Sequence, residues 1–378
     1  MTVAIAGIGR TSFSRSSGRT TRAMAIEACR DALADSGLGP GHVNGMTTFQ
    51  VNDSAHPMEV AWGLGIAELA WANSQHAGGN AVAEQIAMAA AMIEAGHCRA
   101  VLVYRSLNGR SGYRFGTVEG PMQVGGDLQF DAPSGFLVPP QWFAMWARRH
   151  QAVYGTTSED LGAIAITQRR HAGPNEHAVR REPLTMEDYL AGRFVAEPLR
   201  VFDCTSEVDG AVAILLVGES LAADIRPAPV WLVGSAGSQG CSGWSAWDDP
   251  TRMYAHTVGP RIWERTGLRP SDMQVACMYD CFTYTVMATM EGYGFCEPGE
   301  VGAFFAEGRA TYGGDVVVNP HGGLLSEGYI HGLNHHYEAA LQLRGQAGVR
   351  QVPDADLALV SAGGGPYGGA NVYSRAKP

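Results

Sequence analysis

The sequence predicts an α/β protein whose mostly parallel sheet is covered by helices on both faces. Three observations predict it. Short apolar strands alternate with helical stretches along the chain. The 378 residues, 46% hydrophobic with 49 glycines, are enough to bury a large core in two lobes or one large unit. The second half also echoes the first: Gly37-Leu38-Gly39-Pro40 and Gly267-Leu268-Arg269-Pro270 each close a helix, which suggests duplication of one βα module. The halves are placed at 1–225 and 226–378.

Val3 to Ile8 is apolar and ends at Gly7-Ile8-Gly9, a strand running into a turn. Thr20 to Ala34 reads as an amphipathic helix with Met24, Ala28 and Leu33 on one face, and Gly37 closes it. A strand is expected around Gly45 to Val51. Gly78-Gly79 then opens a helix over Asn80 to Ala95 that is apolar almost all round and must be buried. Arg99 to Tyr104 is the next strand. From about residue 106 to 200 glycine, proline and aromatics dominate (Tyr113, Phe115, Phe130, Phe136, Trp142, Phe143, Trp146), with helices at Gln141 to Tyr154 and Ser158 to Ala172. Such an insertion between core elements reads as a lid or binding domain, or as a loop covering a dimer. Its aromatics suit a flat apolar ligand or a subunit interface. Ala211 to Val217 restores the core pattern. The second half offers strands at Val230 to Gly234, Ala276 to Tyr279 and Asp356 to Val360, the last before Gly363-Gly364-Gly365. Its helices fall at Pro260 to Thr266 and Thr283 to Tyr293.

Net charge is −10, which argues against a nucleic-acid partner. The pairs Arg148-Arg149, Arg169-Arg170 and Arg180-Arg181 are local exceptions, suited to the phosphates of a small ligand or to a solvated face. Seven scattered cysteines point to reduced thiols and not to a disulfide framework. The N-terminal residues lack a signal-peptide pattern, and no run of 18 or more apolar residues suggests a membrane span. A soluble, cytoplasmic protein is the expectation.

The run Asn319 to Gly332 feeds the helical stretch Leu333 to Leu343 and is read as the floor of an active site, or else as a tight structural turn. His331, His335 and His336 have near-helical spacing but no matching carboxylate or third ligand, so no metal is assigned.

Four stretches in order resemble the thiolase superfamily, in its sterol-carrier and lipid-transfer branch. They are Gly78-Gly79-Asn80-Ala81, Tyr279-Asp280-Cys281-Phe282, Asn319 to Ile330, and Ser361 to Gly365, supported by Asp209-Gly210-Ala211. The resemblance implies a five-layer αβαβα duplication with a loop domain inserted in the first half. A thiolase's nucleophilic cysteine would stand at the start of the buried helix, where the dipole lowers its pKa. Here that place is Gly79. The Gly-His-Pro of thiolases becomes Gly328-Tyr329-Ile330, and the second cysteine becomes Ser361. Acyl-enzyme chemistry lacks its nucleophile.

The pattern is similar to the steroid side-chain-cleaving aldolases of that branch. This implies retro-aldol cleavage of a β-hydroxyacyl-CoA, a 17-hydroxy-20-carboxyl-CoA steroid giving a 17-keto steroid and propionyl-CoA. The chemistry requires a base for the hydroxyl, a stabilised enolate and an acid at the α-carbon. Tyr329 is assigned as base and Tyr279 as acid, with the roles exchangeable. Backbone N–H groups near Gly79 and Gly364, with His321 or His76, are to hold the enolate oxygen, and His331 and Ser361 are further contacts. No cofactor is implied beyond the CoA thioester that is the substrate. A homodimer joined by an OB-fold acyl-CoA-associated partner in a heterotetramer is implied, without nucleic acid or membrane span. The rivals are a thiolase-like protein that binds acyl-CoA or lipid without chemistry, and a cysteine-independent acyltransferase.

Overall fold

The computed structural model describes residues 2–112, 114, 116, 124–126, 128–223, 225, 227–241, 243–244 and 247–378. Tyr113 and Phe115 of the aromatic insertion lie outside the described residues. The strands are β1 (Val3–Arg10), β2 (Gly45–Gln50), β3 (Trp71–His76), β4 (Ala100–Asn108), β5 (Phe194–Ala196), β6 (Leu199–Arg200), β7 (Asp209–Gly218), β8 (Val230–Gln239), β9 (Val275–Cys277), β10 (Val317–Val318), β11 (Leu357–Gly364) and β12 (Tyr367–Ser374). β5 and β6 pair with each other, and the other ten form one sheet in the order β10-β9-β11-β12-β8-β1-β7-β4-β2-β3.

That order contains the duplication. Read outward from the centre, β1-β7-β4-β2-β3 and β8-β12-β11-β9-β10 are the same five-strand unit. In each, the first two pairings are antiparallel and the last two parallel. The units meet through the short β1–β8 contact, Ala4 opposite Trp231 and Ile5 opposite Val230. The elbows occupy equivalent places: Gly37 (φ 74°) ends the Thr21–Ser36 helix and Gly267 (φ 70°) ends the Ala255–Thr266 helix. Each is followed by a 3-10 turn starting at the proline, Pro40 or Pro270.

The expectation of a mostly parallel sheet is corrected: the sheet is mixed. β12 turns straight back on β11, from Leu357 opposite Ser374 to Gly364 opposite Tyr367, with no crossover helix. Its sequence, YGGANVYS, lacks the apolar alternation that marks a strand. β3 (WANSQH) is likewise too polar to be read as one. The helix expected from Pro260 begins five residues earlier, with the proline inside it.

The Val82–Glu94 helix packs against β2, β4 and β7 of the first unit and β8, β11 and β12 of the second. The Leu333–Leu343 helix lies against β1, β7, β9 and β11. These two form the central layer. The Thr21–Ser36 helix covers β1, β4 and β7 from outside, and the Ala255–Thr266 helix covers β8 and β12. Ile86, Ala89 and Ile93 are essentially fully buried, and each such isoleucine contributes about 1.5–3 kcal/mol over an exposed one. Among the described residues no helix is long and apolar enough to cross a membrane.

Candidate active site

Two loops meet where the central helices begin. β9 runs into Tyr279, whose N–H donates to Ser361 Oγ on β11 at 2.9 Å. Asn319 ties the second loop to that strand end, its N–H donating to Ala276 O at 3.0 Å and its Nδ2 to Met278 O at 2.9 Å. Further along, Tyr329 N–H donates to Ser206 O at 2.9 Å. The consequence is that Tyr279 and Tyr329, fifty positions apart, bring their hydroxyl oxygens to 3.0 Å.

The phenol of Tyr279 occupies the space a side chain at position 79 would need. A Cβ on Gly79 would lie 1.9 Å from Tyr279 Oη and 2.5 Å from its Cζ. The Tyr279 phenol and a side chain at position 79 are therefore mutually exclusive in space. The cavity's own cysteines do not supply a replacement nucleophile. Burial pushes the Cys281 thiol up to about 12 and raises Cys204 further, so both remain thiols near neutrality.

Burial, then the neighbouring phenol of Tyr329, lifts Tyr279 well above the ordinary phenol range. Burial, followed by Cys281, raises Tyr329 too. Both hydroxyls are thus protonated at neutral pH, and neither rests as phenolate.

Beside Tyr329 stands His331, ring centroids 4.7 Å apart at 76°. Arg105 Nε donates to His331 Nδ1 at 3.1 Å, and the guanidinium is held by Asp53 at 2.5 Å. Burial first, and Arg105 second, keep His331 well below the usual imidazole range. With Nδ1 accepting from a permanent cation, the neutral ring carries its proton on Nε2 and presents a donor there.

Behind Tyr279 lies a fully buried polar network. Asp280 accepts from Leu324 N–H at 2.9 Å and Leu325 N–H at 3.0 Å. This close approach needs Gly323, whose φ is +63° and whose Cβ would fall 2.1 Å from Asp280 Oδ2. His335 Nε2 lies 3.2 Å from Asp280, and His335 Nδ1 is 3.1 Å from His321 Nε2. Glu327 completes the network with Arg10 at 2.8 Å and Asn334 at 2.7 Å. Burial alone would raise the Glu327 carboxyl, but Arg10 and the groups beside it bring it down to about 2.

The cavity in front of the tyrosines measures about 880 Å³ and is lined by His76, Gly79, Tyr279, Tyr329, His331 and Gly364. One wall is apolar, from Pro139, Pro140, Phe143, Trp244, Phe282 and Tyr367. Phe143 packs at 4.5 Å from Phe282, while Trp146 is buried against Trp244 behind them. The expectation for His321 is corrected: its ring is wholly buried in the network behind Tyr279 and is absent from the cavity lining. Ser361 also stays off the lining and acts on the backbone of Tyr279. His331 and His335 do not share a helix face, since His331 precedes the Leu333–Leu343 helix with φ 51°. Among the described residues Cys277, His321 and His335 bring one ligand-type atom each within 4.8 Å of one another. They sit outside the cavity, with the two imidazoles already paired. Sequence reasoning assigned no role to Arg105, Asp53 or Arg10, because their pairings across 52 to 317 positions carry no local pattern.

The Thiolase C-terminal domain-like family model matches residues 238–373. Over 380 aligned residues the chain is 40% identical to the 17-hydroxy-3-oxo-4-pregnene-20-carboxyl-CoA lyase of Mycobacterium tuberculosis, covering 96% of each. It is 38% identical to the steroid side-chain-cleaving aldolase of Thermomonospora curvata, covering 96% of this chain and 95% of that one. Among solved structures it is similar to the Ltp2-ChsH2(DUF35) aldolase, with a TM-score of 0.93 and 37% identity over 100% of this chain and 99% of that one.

Proposed function

The chain belongs to the thiolase superfamily, as a carbon–carbon lyase of its steroid side-chain-cleaving aldolases, and from that membership we propose how it acts and on what. The substrate is a steroid 17-hydroxy-20-carboxyl-CoA thioester, cleaved to a 17-keto steroid and propionyl-CoA. The observation that carries the mechanism is the 3.0 Å contact between the Tyr279 and Tyr329 hydroxyls in the space that Gly79 vacates.

Retro-aldol cleavage moves one proton from the β-hydroxyl to the α-carbon, and its electron pair from the breaking C–C bond into the thioester enolate. A neutral phenol is a poor base, but a hydrogen-bonded pair of phenols need not ionise. Tyr329 accepts the hydroxyl proton as it passes its own to Tyr279, and Tyr279 protonates the α-carbon. Each tyrosine ends with one proton, so no phenolate accumulates, in keeping with the raised pKa values of both groups. The enolate oxygen is held by His331 through Nε2–H and by Gly79 N–H, which opens a 3-10 turn and has no partner within it. The apolar wall of Phe143, Trp244 and Phe282 receives the steroid rings. No step calls for a cofactor. A homodimer completed by an OB-fold partner belongs to this reading, supported by the similarity to an Ltp2-ChsH2(DUF35) aldolase.

The test is a single-substrate assay of 17-hydroxy-3-oxo-4-pregnene-20-carboxyl-CoA with the chain and its co-expressed partner. Equal release of ketone and propionyl-CoA is expected. Tight binding without cleavage, or a requirement for a second acyl substrate, refutes the proposal.

A further inference from the structure

The histidine beside Tyr329 is held from behind by a charge pair that does not reach the cavity. Arg105, on β4, has no exposed surface, and neither it nor Asp53 lines the cavity. Its guanidinium makes three contacts. Nε donates to His331 Nδ1 at 3.1 Å, Nη1 to Ser106 O at 3.1 Å and Nη2 to Asp53 Oδ2 at 2.5 Å. The other oxygen of Asp53 accepts from Val51 N–H at 3.0 Å. Replacing a buried ion pair by apolar residues of similar volume is often neutral or stabilising, so stability alone gives no reason for charges here.

The backbone bends to make these contacts. Asn52, next to Asp53, has φ 67°, and His331 has φ 51°. Both lie in the left-handed region, which is unfavourable for residues with a side chain and persists where the surroundings over-determine it. Phe49 on β2 completes the arrangement. Its ring stacks on His331 with centroids 6.2 Å apart at 28°, and the Arg105 guanidinium lies 5.5 Å from its centroid. Among the described residues, the charged and titratable groups around His331 are Arg105 from β4, Asp53 behind it from the loop after β2, and Tyr329 from its own loop, with Tyr279 beyond.

We infer that Arg105 and Asp53 are a positioning pair for the cleavage: Arg105 occupies the Nδ1 lone pair of His331, Asp53 holds Arg105, and the imidazole is thereby locked as a neutral Nε2–H donor. This rests on the lyase reading and deepens it, because the enolate oxygen then meets a donor that neither pH nor tautomer exchange removes. Without Arg105 the nearest charge behind Nδ1 is the Asp53 carboxylate. It draws the single proton of the neutral ring to Nδ1 and leaves a lone pair at Nε2, where the reaction needs a donor. Removing a cation thus switches the polarity of a side chain that the cation itself never exposes to substrate.

The experiment reads the imidazole and the rate separately, on the chain assembled with its partner. Nitrogen-15 histidine spectra, with His331 identified by its loss in His331→Gln, report the tautomer from about pH 6 to 9. The wild type shows neutral Nε2–H throughout. Arg105→Met shows Nδ1–H, and its kcat at about pH 8 falls on the order of 10²-fold, as for loss of one oxyanion donor, while KM changes little. The rate of this variant rises as pH falls, because its imidazolium carries an Nε2 proton again, whereas the wild-type rate stays flat. Arg105→Met/Asp53→Leu removes the carboxylate as well, and roughly tenfold of the lost kcat returns. A wild-type His331 that titrates in this range or carries Nδ1–H, an Arg105→Met protein that keeps Nε2–H, or a double variant no faster than the single one overturns the inference. If Arg105→Met does not fold, Arg105→Lys replaces it: charge stays beside Asp53, the Nε donor is gone, and both the Nε2–H population and kcat must fall. A wild type that cleaves no ester while the tautomer contrast holds refutes the lyase reading and leaves the lock on His331 standing.

Discussion

Gly79→Ala is a one-carbon change with a large consequence if the tyrosine pair is the catalyst. The added Cβ would lie 1.9 Å from Tyr279 Oη, 2.5 Å from Cζ and 2.7 Å from Cε2, whereas ordinary contact begins near 3.4 Å. The phenol must therefore retreat by about 1.5 Å. Its ring is also closely packed by Gly332, where an added Cβ would meet Tyr279 Cδ2 and Cε2 at 2.9 Å. The 3.0 Å hydroxyl contact with Tyr329 is lost first. Misplacing a reacting group by about 1 Å lowers rates on the order of 10²-fold, roughly 3 kcal/mol of barrier. The expected outcome is a loss of at least a hundredfold in kcat/KM on the CoA ester, with thermal unfolding showing an overpacking penalty of about 1–3 kcal/mol. Gly79→Cys should suffer the same loss and gain no acyl transfer, since the thiol would compete for the volume the phenol fills. A Gly79→Ala protein that keeps activity within threefold of wild type would refute the argument that Tyr279 stands where the thiolase thiol would be.

Tyr329→Phe and Tyr279→Phe should each lower kcat about 10²–10⁴-fold, measured by product release, with the CoA ester still bound. The pH profile of kcat/KM should be flat from about pH 6 to 9, because both phenols are raised by burial and His331 stays neutral throughout. A resting phenolate base would instead make the rate climb tenfold per pH unit. Glu327 has its folded pKa depressed from 4.5 to about 2. The stability it contributes, roughly 3 kcal/mol, is present above about pH 4.5 and lost as pH falls towards 2. Denaturant unfolding at pH 7 and pH 3 should show about 2 kcal/mol of that loss in wild type, and Glu327→Gln should flatten it.

Much of the candidate site was legible because short glycine-rich stretches mark its loops. Tyr279 and Tyr329 stand in loops whose turn residues announce themselves, and the paired elbows at Gly37 and Gly267 reveal the duplicated unit. Legibility stops at side-chain direction. His321 lies in the right loop, but Asn319 with φ 49° and Gly322 with φ 96° bend that loop so that the imidazole faces His335 and not the cavity. The antiparallel return of β12 and the polar edge strand β3 carry no hydrophobic period. The assembly of Arg15, Arg110 and Arg180 around one opening exists only once β4 and β7 are paired and Asp209 gathers the loops. Among the three arginine doublets, sequence alone had no means of choosing the one with a member lining the cavity.

The central claim is that two neutral tyrosines, and no thiol, perform the cleavage. The measurement that bears on it most directly is quantitation of 17-keto steroid and propionyl-CoA from one CoA ester with wild type, Tyr329→Phe, Tyr279→Phe and Cys204→Ala/Cys281→Ala, each assembled with its partner and shown to bind the ester. The account predicts equal amounts of both products from wild type and from the double cysteine variant, and at least a hundredfold slower release from either tyrosine variant. Full activity in the tyrosine variants, or cleavage abolished only when the cysteines are removed, would contradict it.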